Sequence, residues 1–131
     1  KKFLKKINYV GVMGVEFFVT PKALIVNEIA PRVHNTGHYS TDTLGLSQFD
    51  VHNMCLMNLP LPKFIKTEKG FAMVNLIGQN KEVQLAPCSG LYWYGKVDNR
   101  AGRKMGHINT TGPSPSVALK DAKMKRQRID L

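Results

Sequence analysis

The sequence predicts an α+β fold, in which a β-hairpin and a helix are followed by a small β-rich unit. A Val- and Phe-rich run at residues 10–19 and a second apolar run at residues 23–29 flank the turn sequence Thr-Pro-Lys, which is typical of a hairpin. Shorter apolar runs follow a proline-rich break and indicate short strands. The chain therefore divides into residues 1–62 and residues 63–131.

The first part contains four predicted elements. Residues 1–8 read as the end of a helix, residues 10–19 as a buried strand, and residues 23–29 as its hairpin partner. Pro31 ends that strand, and we expect a long loop after it. Ser47 then opens a helix, because the pattern Ser-x-x-Asp can cap the free N–H groups of a first turn.

The second part begins with a linker at residues 63–70. Four short strands are expected at residues 72–77, 83–86, 91–97 and 105–109. Residues 109–116 read as a loop, and residues 117–129 as a final helix.

Composition indicates a globular chain of 131 residues. No apolar run approaches the roughly 20 residues that a membrane span requires, and the first residues lack the apolar core of a signal peptide. Cys55 and Cys88 lack the paired spacing of a zinc site, so we expect reduced, buried thiols. These features predict a cytoplasmic protein without a membrane partner.

The charge is strongly positive, with a formal net charge of +10 at pH 7. Such a surplus predicts an anionic partner, either nucleic acid or a small phosphorylated ligand. Basic residues crowd residues 96–104 and residues 120–128. The second cluster is typical of the solvated face of a terminal helix, whereas the first lies among glycines.

Two acids in the predicted hairpin raise a specific question. If the hairpin is centred on Lys22, Glu16 lies opposite Glu28, with Cβ atoms about 5 Å apart. Because like charges repel there, a shared proton, a nearby Lys or Arg, or a divalent cation must compensate. Magnesium bound by both acids, with Asn27 or water, would predict a nucleotide. A turn shifted by half a residue would instead pair Glu16 with Asn27 and leave an ordinary strand.

The basic loop allows three interpretations. Lys96 and Arg103 could clamp a phosphate, Arg by its planar fork and Lys as a point charge. The loop could also be a soluble hairpin with scattered charges. An RNA-binding surface is the third, since Tyr92, Trp93 and Tyr94 could stack on bases. Strand alternation, however, sends Trp93 to the face opposite the two tyrosines, so all three cannot stack together.

Five segments in order resemble a known family. They are "YVGVMGVEFFV", "LIVNEIAPRVHNTGHYSTD", "SQFDVHNMCLMNLPLP", "MVNLIG" and "LYWYGKVDNRAGRKMGHIN". They are similar to the C-terminal part of the 5-(carboxyamino)imidazole ribonucleotide synthases, ATP-grasp enzymes of purine biosynthesis, up to about Gly112. The segment "NEIAPRVHNTGH" is specific to that family. The acid pair alone would fit any ATP-grasp ligase, so another ATP-grasp carboxylase or ligase is the alternative.

The resemblance implies a reaction and its cofactors. It implies ATP-dependent carboxylation of aminoimidazole ribonucleotide with bicarbonate, through carboxyphosphate. ATP and Mg²⁺ are the implied cofactors. Glu16 and Glu28 match the magnesium ligands, and Asn27 and Glu28 match positions in the nucleotide site.

The resemblance also implies roles for the loop residues. Arg32 and His34 match catalytic positions, with Arg32 steadying the carboxyphosphate and the incoming carboxylate. His34 and Asn35 match residues near the aminoimidazole and bicarbonate, where His34 either transfers a proton or positions substrate. Lys96 and Arg103 match the pair that grips the ribonucleotide's 5′-phosphate.

The resemblance finally bears on partners and completeness. It implies a homodimer for the full-length protein and no nucleic-acid partner. The chain does not begin with Met, and the N-terminal and central parts of an ATP-grasp enzyme have no match in it. We therefore expect a fragment that is inactive alone and binds the ribonucleotide weakly.

Overall fold

The computed structural model describes residues 2–42, 45–63 and 70–131. The elements in chain order are α1 (Lys2–Lys6), β1 (Gly14–Val19), β2 (Leu24–Ala30), a 3-10 helix (Asn35–Asp42), α2 (Gln48–Leu56), β3 (Gly70–Ile77), β4 (Leu91–Trp93), β5 (Lys104–Gly112) and α3 (Pro115–Arg126). They confirm the predicted α+β fold. The chain forms two compact units, residues 1–65 and 66–131. The functional division into residues 1–62 and 63–131 stays a prediction.

The first unit is built on the antiparallel pair β1–β2. Thr20 closes its turn, since the backbone N–H of Thr20 donates to the Ala23 carbonyl at 3.0 Å, and the N–H of Ala23 donates to Thr20 Oγ1 at 3.0 Å. Beside the turn, Val19 pairs with Leu24. The turn is therefore centred between Pro21 and Lys22, so the prediction of a centre on Lys22 was wrong by half a residue.

A bulge corrects this offset further along the hairpin. The register shifts between Glu16 and Phe17, which pairs with Val26, so Asn27 is the extra residue of the second strand. Beyond the bulge, Glu16 pairs with Glu28. The predicted opposition of the two acids is confirmed, although it results from the earlier turn and the bulge together rather than from a turn centred on Lys22.

The expectation of a buried first strand was wrong. β1 begins at Gly14 rather than at residue 10, and most of its side chains are exposed, with Phe18 at 59% and Val19 at 81%. Only Ala30 and Ser47 are buried among the described residues of this unit. An apolar run is buried only where a second layer packs on it, and two strands alone provide no such layer.

The segment after Pro31 differs from the predicted loop. Residues Asn35–Asp42 form a 3-10 helix, and α2 follows after Ser47. The predicted capping box is confirmed, because Ser47 Oγ accepts from the Asp50 N–H at 3.2 Å and the Ser47 N–H donates to Asp50 Oδ2 at 2.9 Å. The start of α2 is thus fixed by local hydrogen bonds, although α2 itself has no buried residue.

The second unit has a three-stranded antiparallel sheet in the order β3-β5-β4. α3 packs on β3 and β5 through its small buried residues Ala118 and Ala122. The Thr110 hydroxyl donates to the Ala118 carbonyl at 2.6 Å. The core consists of Leu76, Met105, Ile108, Ile129 and Leu131.

Several predicted boundaries in this unit were wrong. The strand expected at residues 83–86 is a single bridge between Gln84 and Asp130. β4 ends at Trp93, and β5 extends to Gly112, so part of the predicted loop at 109–116 is strand. Within the predicted linker, residues 64–69 lie outside the described residues. The final helix is confirmed, although it runs over Pro115–Arg126 rather than over the predicted residues 117–129.

Two further features concern the surface. In the described ranges, none of the helices combines the length and apolar character needed to cross a membrane. Cys55 and Cys88 are both free and partly exposed, so they are less buried than expected.

Candidate active site

The two paired carboxylates converge on one imidazole. His34 Nδ1 lies 3.6 Å from Glu16 Oε1, and His34 Nε2 lies 3.6 Å from Glu28 Oε1. The Asn27 side-chain amide, on the bulge, donates to Glu16 Oε2 at 3.2 Å. Both acids therefore lie within reach of a single group.

The imidazole occupies the position for which the sequence predicted a compensating charge. The expected compensation was a shared proton, a Lys or Arg, or a cation. Within the described ranges, neither Glu16 nor Glu28 forms an ion pair with Lys or Arg. When protonated, the His34 ring supplies one positive charge to both carboxylates. Its side chain is 11% exposed, which limits screening by water.

Neighbouring groups restrict the orientation of the His34 ring. The Thr36 N–H donates to His34 Nδ1 at 3.4 Å, and Thr36 Oγ1 lies 2.9 Å from the same nitrogen. Because a backbone N–H can only donate, this contact favours the neutral tautomer with its proton on Nε2, which faces Glu28. Gly14 leaves room for the ring, since a Cβ there would lie 2.8 Å from His34 Cβ.

Gln48 is a residue that the sequence interpretation missed. Its Oε1 accepts from the His34 N–H at 2.9 Å, and its Nε2 donates to the His34 carbonyl at 2.9 Å. Nε2 also contacts His38 Nδ1 at 3.0 Å, and His38 stacks on Phe49. The capping pattern located the start of α2, but no local signal links Gln48 to a partner fourteen residues earlier.

Arg32 and Asn35 flank the imidazole in sequence. The Arg32 N–H donates to the Ala30 carbonyl at 2.8 Å across a tight turn at Pro31. Its exposed guanidinium donates to the Val33 carbonyl at 3.0 Å and forms no carboxylate pair within the described ranges. Asn35 Oδ1 is buried and accepts no hydrogen bond from any described residue. The guanidinium is therefore accessible to a ligand, whereas Asn35 Oδ1 is covered by the surrounding protein.

The second unit holds the basic loop. Lys96 Nζ donates to the Lys104 carbonyl at 2.6 Å and lies 5.5 Å from the centre of the Tyr94 ring. Arg103 Nη1 lies 3.6 Å from Asp98 Oδ2. Burial, and then the charge of Lys96, lower the pKa of Lys104. The loop thus brings Lys96 to the residue next to Arg103.

The three aromatic residues of this unit have other contacts. Tyr92 stacks on His107 with ring centres 4.7 Å apart, and the Tyr94 hydroxyl lies 2.8 Å from His107 Nδ1. Trp93 packs against the core. The predicted division of faces is confirmed, and the RNA-binding interpretation loses the stacking surface on which it depended.

Two protein families match the chain in the predicted order. The ATP-grasp domain family matches residues 1–49, and the phosphoribosylaminoimidazole carboxylase C-terminal domain family matches residues 72–121. The N5-carboxyaminoimidazole ribonucleotide synthase of Haemophilus influenzae is 44% identical over 120 residues, covering 90% of this chain and 33% of that protein. The chain belongs to the N5-carboxyaminoimidazole ribonucleotide synthase family. The family predicted from the motifs is thereby confirmed.

Solved structures of synthase family members share this fold. The Thermotoga maritima synthetase superposes with a TM-score of 0.81 at 33% identity, over 98% of this chain and 39% of its own. The Aspergillus clavatus synthase in complex with ADP and 5-aminoimidazole ribonucleotide gives 0.72 at 30% identity, over 90% of this chain and 35% of its own. The chain spans about one third of the length of the synthases it matches.

Proposed function

We propose that this chain supplies one part of the active site for ATP-dependent carboxylation of aminoimidazole ribonucleotide with bicarbonate, in purine biosynthesis. The observation that carries the proposal is the pairing of Glu16 with Glu28, both 3.6 Å from the His34 ring. Family membership supports it, since the matched relatives are named for the carboxyaminoimidazole ribonucleotide product. The proposal assigns this chain a share of the reaction, because it spans about a third of those relatives.

The carboxylate pair is proposed to hold Mg²⁺ on the ATP phosphates. Within the described ranges, no three His, Cys, Asp or Glu side chains are grouped to hold a metal by themselves. Two carboxylates completed by substrate phosphates are, however, a set that magnesium prefers, so the donors fit. Bound magnesium would neutralise phosphate charge during transfer. Asn27 would orient Glu16 through its 3.2 Å hydrogen bond and, with Glu28, border the nucleotide.

The loop after β2 is proposed to face the reacting groups. Arg32, whose guanidinium is exposed, would stabilise negative charge on the carboxyphosphate and the incoming carboxylate. The His34 ring would move or hold a proton at Nε2. Asn35, whose Oδ1 is buried and has no hydrogen-bond partner among the described residues, would lie near the aminoimidazole and the bicarbonate.

The basic loop is proposed to hold the 5′-phosphate of the ribonucleotide. Lys96 and Arg103 supply an ammonium and a guanidinium, the two groups that bind phosphate most strongly in proteins. We further propose a cytoplasmic location, in keeping with substrates such as ATP and bicarbonate, and a homodimer for the full-length protein. Size-exclusion chromatography with light scattering would test the latter.

A chimaeric enzyme tests the proposal directly. Residues 1–131 would replace the matching third of the Haemophilus influenzae synthase, and formation of carboxyaminoimidazole ribonucleotide would be followed. We expect an active chimaera, in which Glu16→Gln and Glu28→Gln each lower kcat by about 100-fold or more, as loss of a key transition-state charge contact does.

The matched control is Glu82→Gln, which removes an exposed carboxylate elsewhere and should leave kcat unchanged. The isolated 131-residue chain should show no ATP hydrolysis that depends on aminoimidazole ribonucleotide. An active chimaera that tolerates both site substitutions would contradict the assignment of the carboxylate pair. Turnover by the isolated chain would contradict the assignment of only a share of the reaction.

A further inference from the structure

The Gln48 side chain makes the same two hydrogen bonds to His34 that a neighbouring strand would make. Its oxygen accepts the His34 N–H and its nitrogen donates to the His34 carbonyl, both at 2.9 Å. These partners fix the orientation of the amide, because a backbone N–H only donates and a carbonyl only accepts. The second proton of Nε2 points to His38 Nδ1 at 3.0 Å.

The position of Gln48 is itself determined on both sides. Its backbone N–H donates to the Ser40 hydroxyl at 2.9 Å, and the capping box of Ser47 and Asp50 fixes the start of α2. The three hydrogen bonds of the Gln48 amide then oppose the rotamer freedom that a glutamine side chain loses when it is fixed, so the amide can define the position of its partner. α2 thereby sets the backbone position of His34.

The His34 backbone position in turn decides where the ring lies. The ring is 3.6 Å from an oxygen of Glu16 and an oxygen of Glu28. Gly14 lies so close behind His34 that even a Cβ would come within 2.8 Å. A shift of the His34 backbone would therefore move the ring against Gly14 or away from a carboxylate.

We propose that Gln48 is a positioning residue, which holds the His34 ring beside the two carboxylates, where the imidazole orients the side chains that would bind the cation. Nothing in the proposed reaction requires Gln48 to touch substrate. The inference rests on the proposed function only where it concerns the cation. The geometry of His34 is a separate claim and is measured separately.

NMR of the full 131-residue chain tests the geometry. Gln48→Met keeps the length of the side chain and removes its hydrogen bonds. We expect exchange of the His34 amide to rise roughly tenfold, as loss of a net hydrogen bond allows. Nuclear Overhauser contacts from the His34 ring to the Glu16 and Glu28 side chains should disappear. Unchanged amide shifts of Ser47 and Asp50 would show that α2 is still formed.

Two further variants separate positioning from folding. Gln48→Glu keeps an acceptor for the His34 N–H and removes the donor to its carbonyl, so it should protect the amide and still lose the ring contacts. Asn53→Ala, at an exposed position of the same helix, should match the wild type in both. Ring contacts that persist in Gln48→Met and Gln48→Glu would overturn the proposal.

Manganese bound to ATP, used as a paramagnetic probe, tests the functional consequence, because ATP supplies the phosphates that complete the proposed site. It should broaden the Glu16 and Glu28 resonances of the wild type, with affinity about tenfold lower in Gln48→Met. Equal affinity in both proteins would overturn the proposed preparation of the site by Gln48. If the wild type shows no broadening, the magnesium assignment itself fails, and the ring contacts alone decide the positioning role.

Discussion

The two units of the chain achieve order by different means. In residues 66–131, the side chains of Leu76, Met105 and Ile108 are fully buried, and a helix covers one face of the sheet. In the described part of residues 1–65, the strands are equally apolar, yet Ala30 and Ser47 are the only buried residues. Order there comes from the threonine turn, the capping box and the Gln48 amide.

This difference teaches that hydrogen bonds within this chain organise the site residues of the first unit, although the described residues of that unit supply no core beneath them. Directional hydrogen bonds fix angles and register, whereas apolar burial supplies most of the free energy of folding. Among its described residues, the first unit has such hydrogen bonds and little apolar burial. We therefore expect substitutions in the two units to differ in kind, with stability lost in the second unit and site geometry lost in the first.

The largest expected effect comes from the core of the second unit. Ile108 is fully buried, and Ile108→Ala should lower the free energy of unfolding by about 2–5 kcal/mol through lost burial and a cavity. Fluorescence of Trp93, the single tryptophan, reports this unit during denaturation, because Trp93 packs against the core.

The counterpart in the first unit is Val19→Ala. Val19 is 81% exposed, so the change should stay within about 0.5 kcal/mol, as surface substitutions usually do. Hydrogen exchange of the β1–β2 amides gives the measurement. A loss at Val19 as large as that at Ile108 would mean that the hairpin face is covered, and the contrast between the units would disappear.

An intermediate effect is expected at the basic loop, where the second unit carries a site as well as a core. Lys96→Met should weaken binding of ribose 5-phosphate by about tenfold, or roughly 1.4 kcal/mol. Chemical-shift titration of the isolated chain measures the affinity. Lys120→Met removes an equal charge from an exposed position of α3 and should change affinity less than twofold. Equal losses in both variants would indicate general electrostatic attraction.

A smaller effect than that at Lys96 is expected at the two helix caps, which form a matched pair. Ser47→Ala and Ser114→Ala each remove a hydroxyl that accepts a first-turn N–H, and each should cost about 1 kcal/mol. Only Ser47 pairs with an acid in that turn. The two caps should therefore differ in their dependence on pH.

The sign of that dependence follows from Asp50. Hydrogen bonds from the Ser47 hydroxyl and backbone N–H hold the pKa of Asp50 below its ordinary value of 3.8. The stability that ionised Asp50 contributes is thus complete above pH 3.8 and is lost as the pH falls through the lower pKa of the folded state. Carbon-13 titration of Asp50 should show its pKa rising towards 3.8 in Ser47→Ala and unchanged in Ser114→Ala. The reverse result would separate Asp50 from the cap.

The carboxylate pair shows which part of the site could be predicted from the sequence. Counting residues placed Glu16 opposite Glu28, and the structure agrees. The count assumed a turn centred on Lys22, whereas the turn is half a residue earlier and a bulge at Asn27 restores the pairing. Bulges insert a residue without a strong sequence signal, so the agreement depended on a feature that the pattern did not contain.

The 3-10 helix and Gln48 show where prediction from the sequence ended. Residues 35–42 carry no apolar periodicity that would indicate a helix. Gln48 lies inside a recognisable capping pattern, yet its partner His34 is fourteen residues away. The motifs identified the family and the candidate residues, and they did not reveal which side chain holds another in place.

The sequence by itself determined the fold class, the hairpin, the capped helix, the family and the identity of the acidic, basic and imidazole groups. The secondary structure depends on periodicity and on contacts within a few residues, and the family and the chemical groups are recognised from short motifs. Only the tertiary structure decided that His34 lies between the two acids, that Gln48 holds its backbone, and that the apolar hairpin is exposed among the described residues. Each of these depends on contacts between residues distant in sequence, whose distances and angles no local pattern specifies.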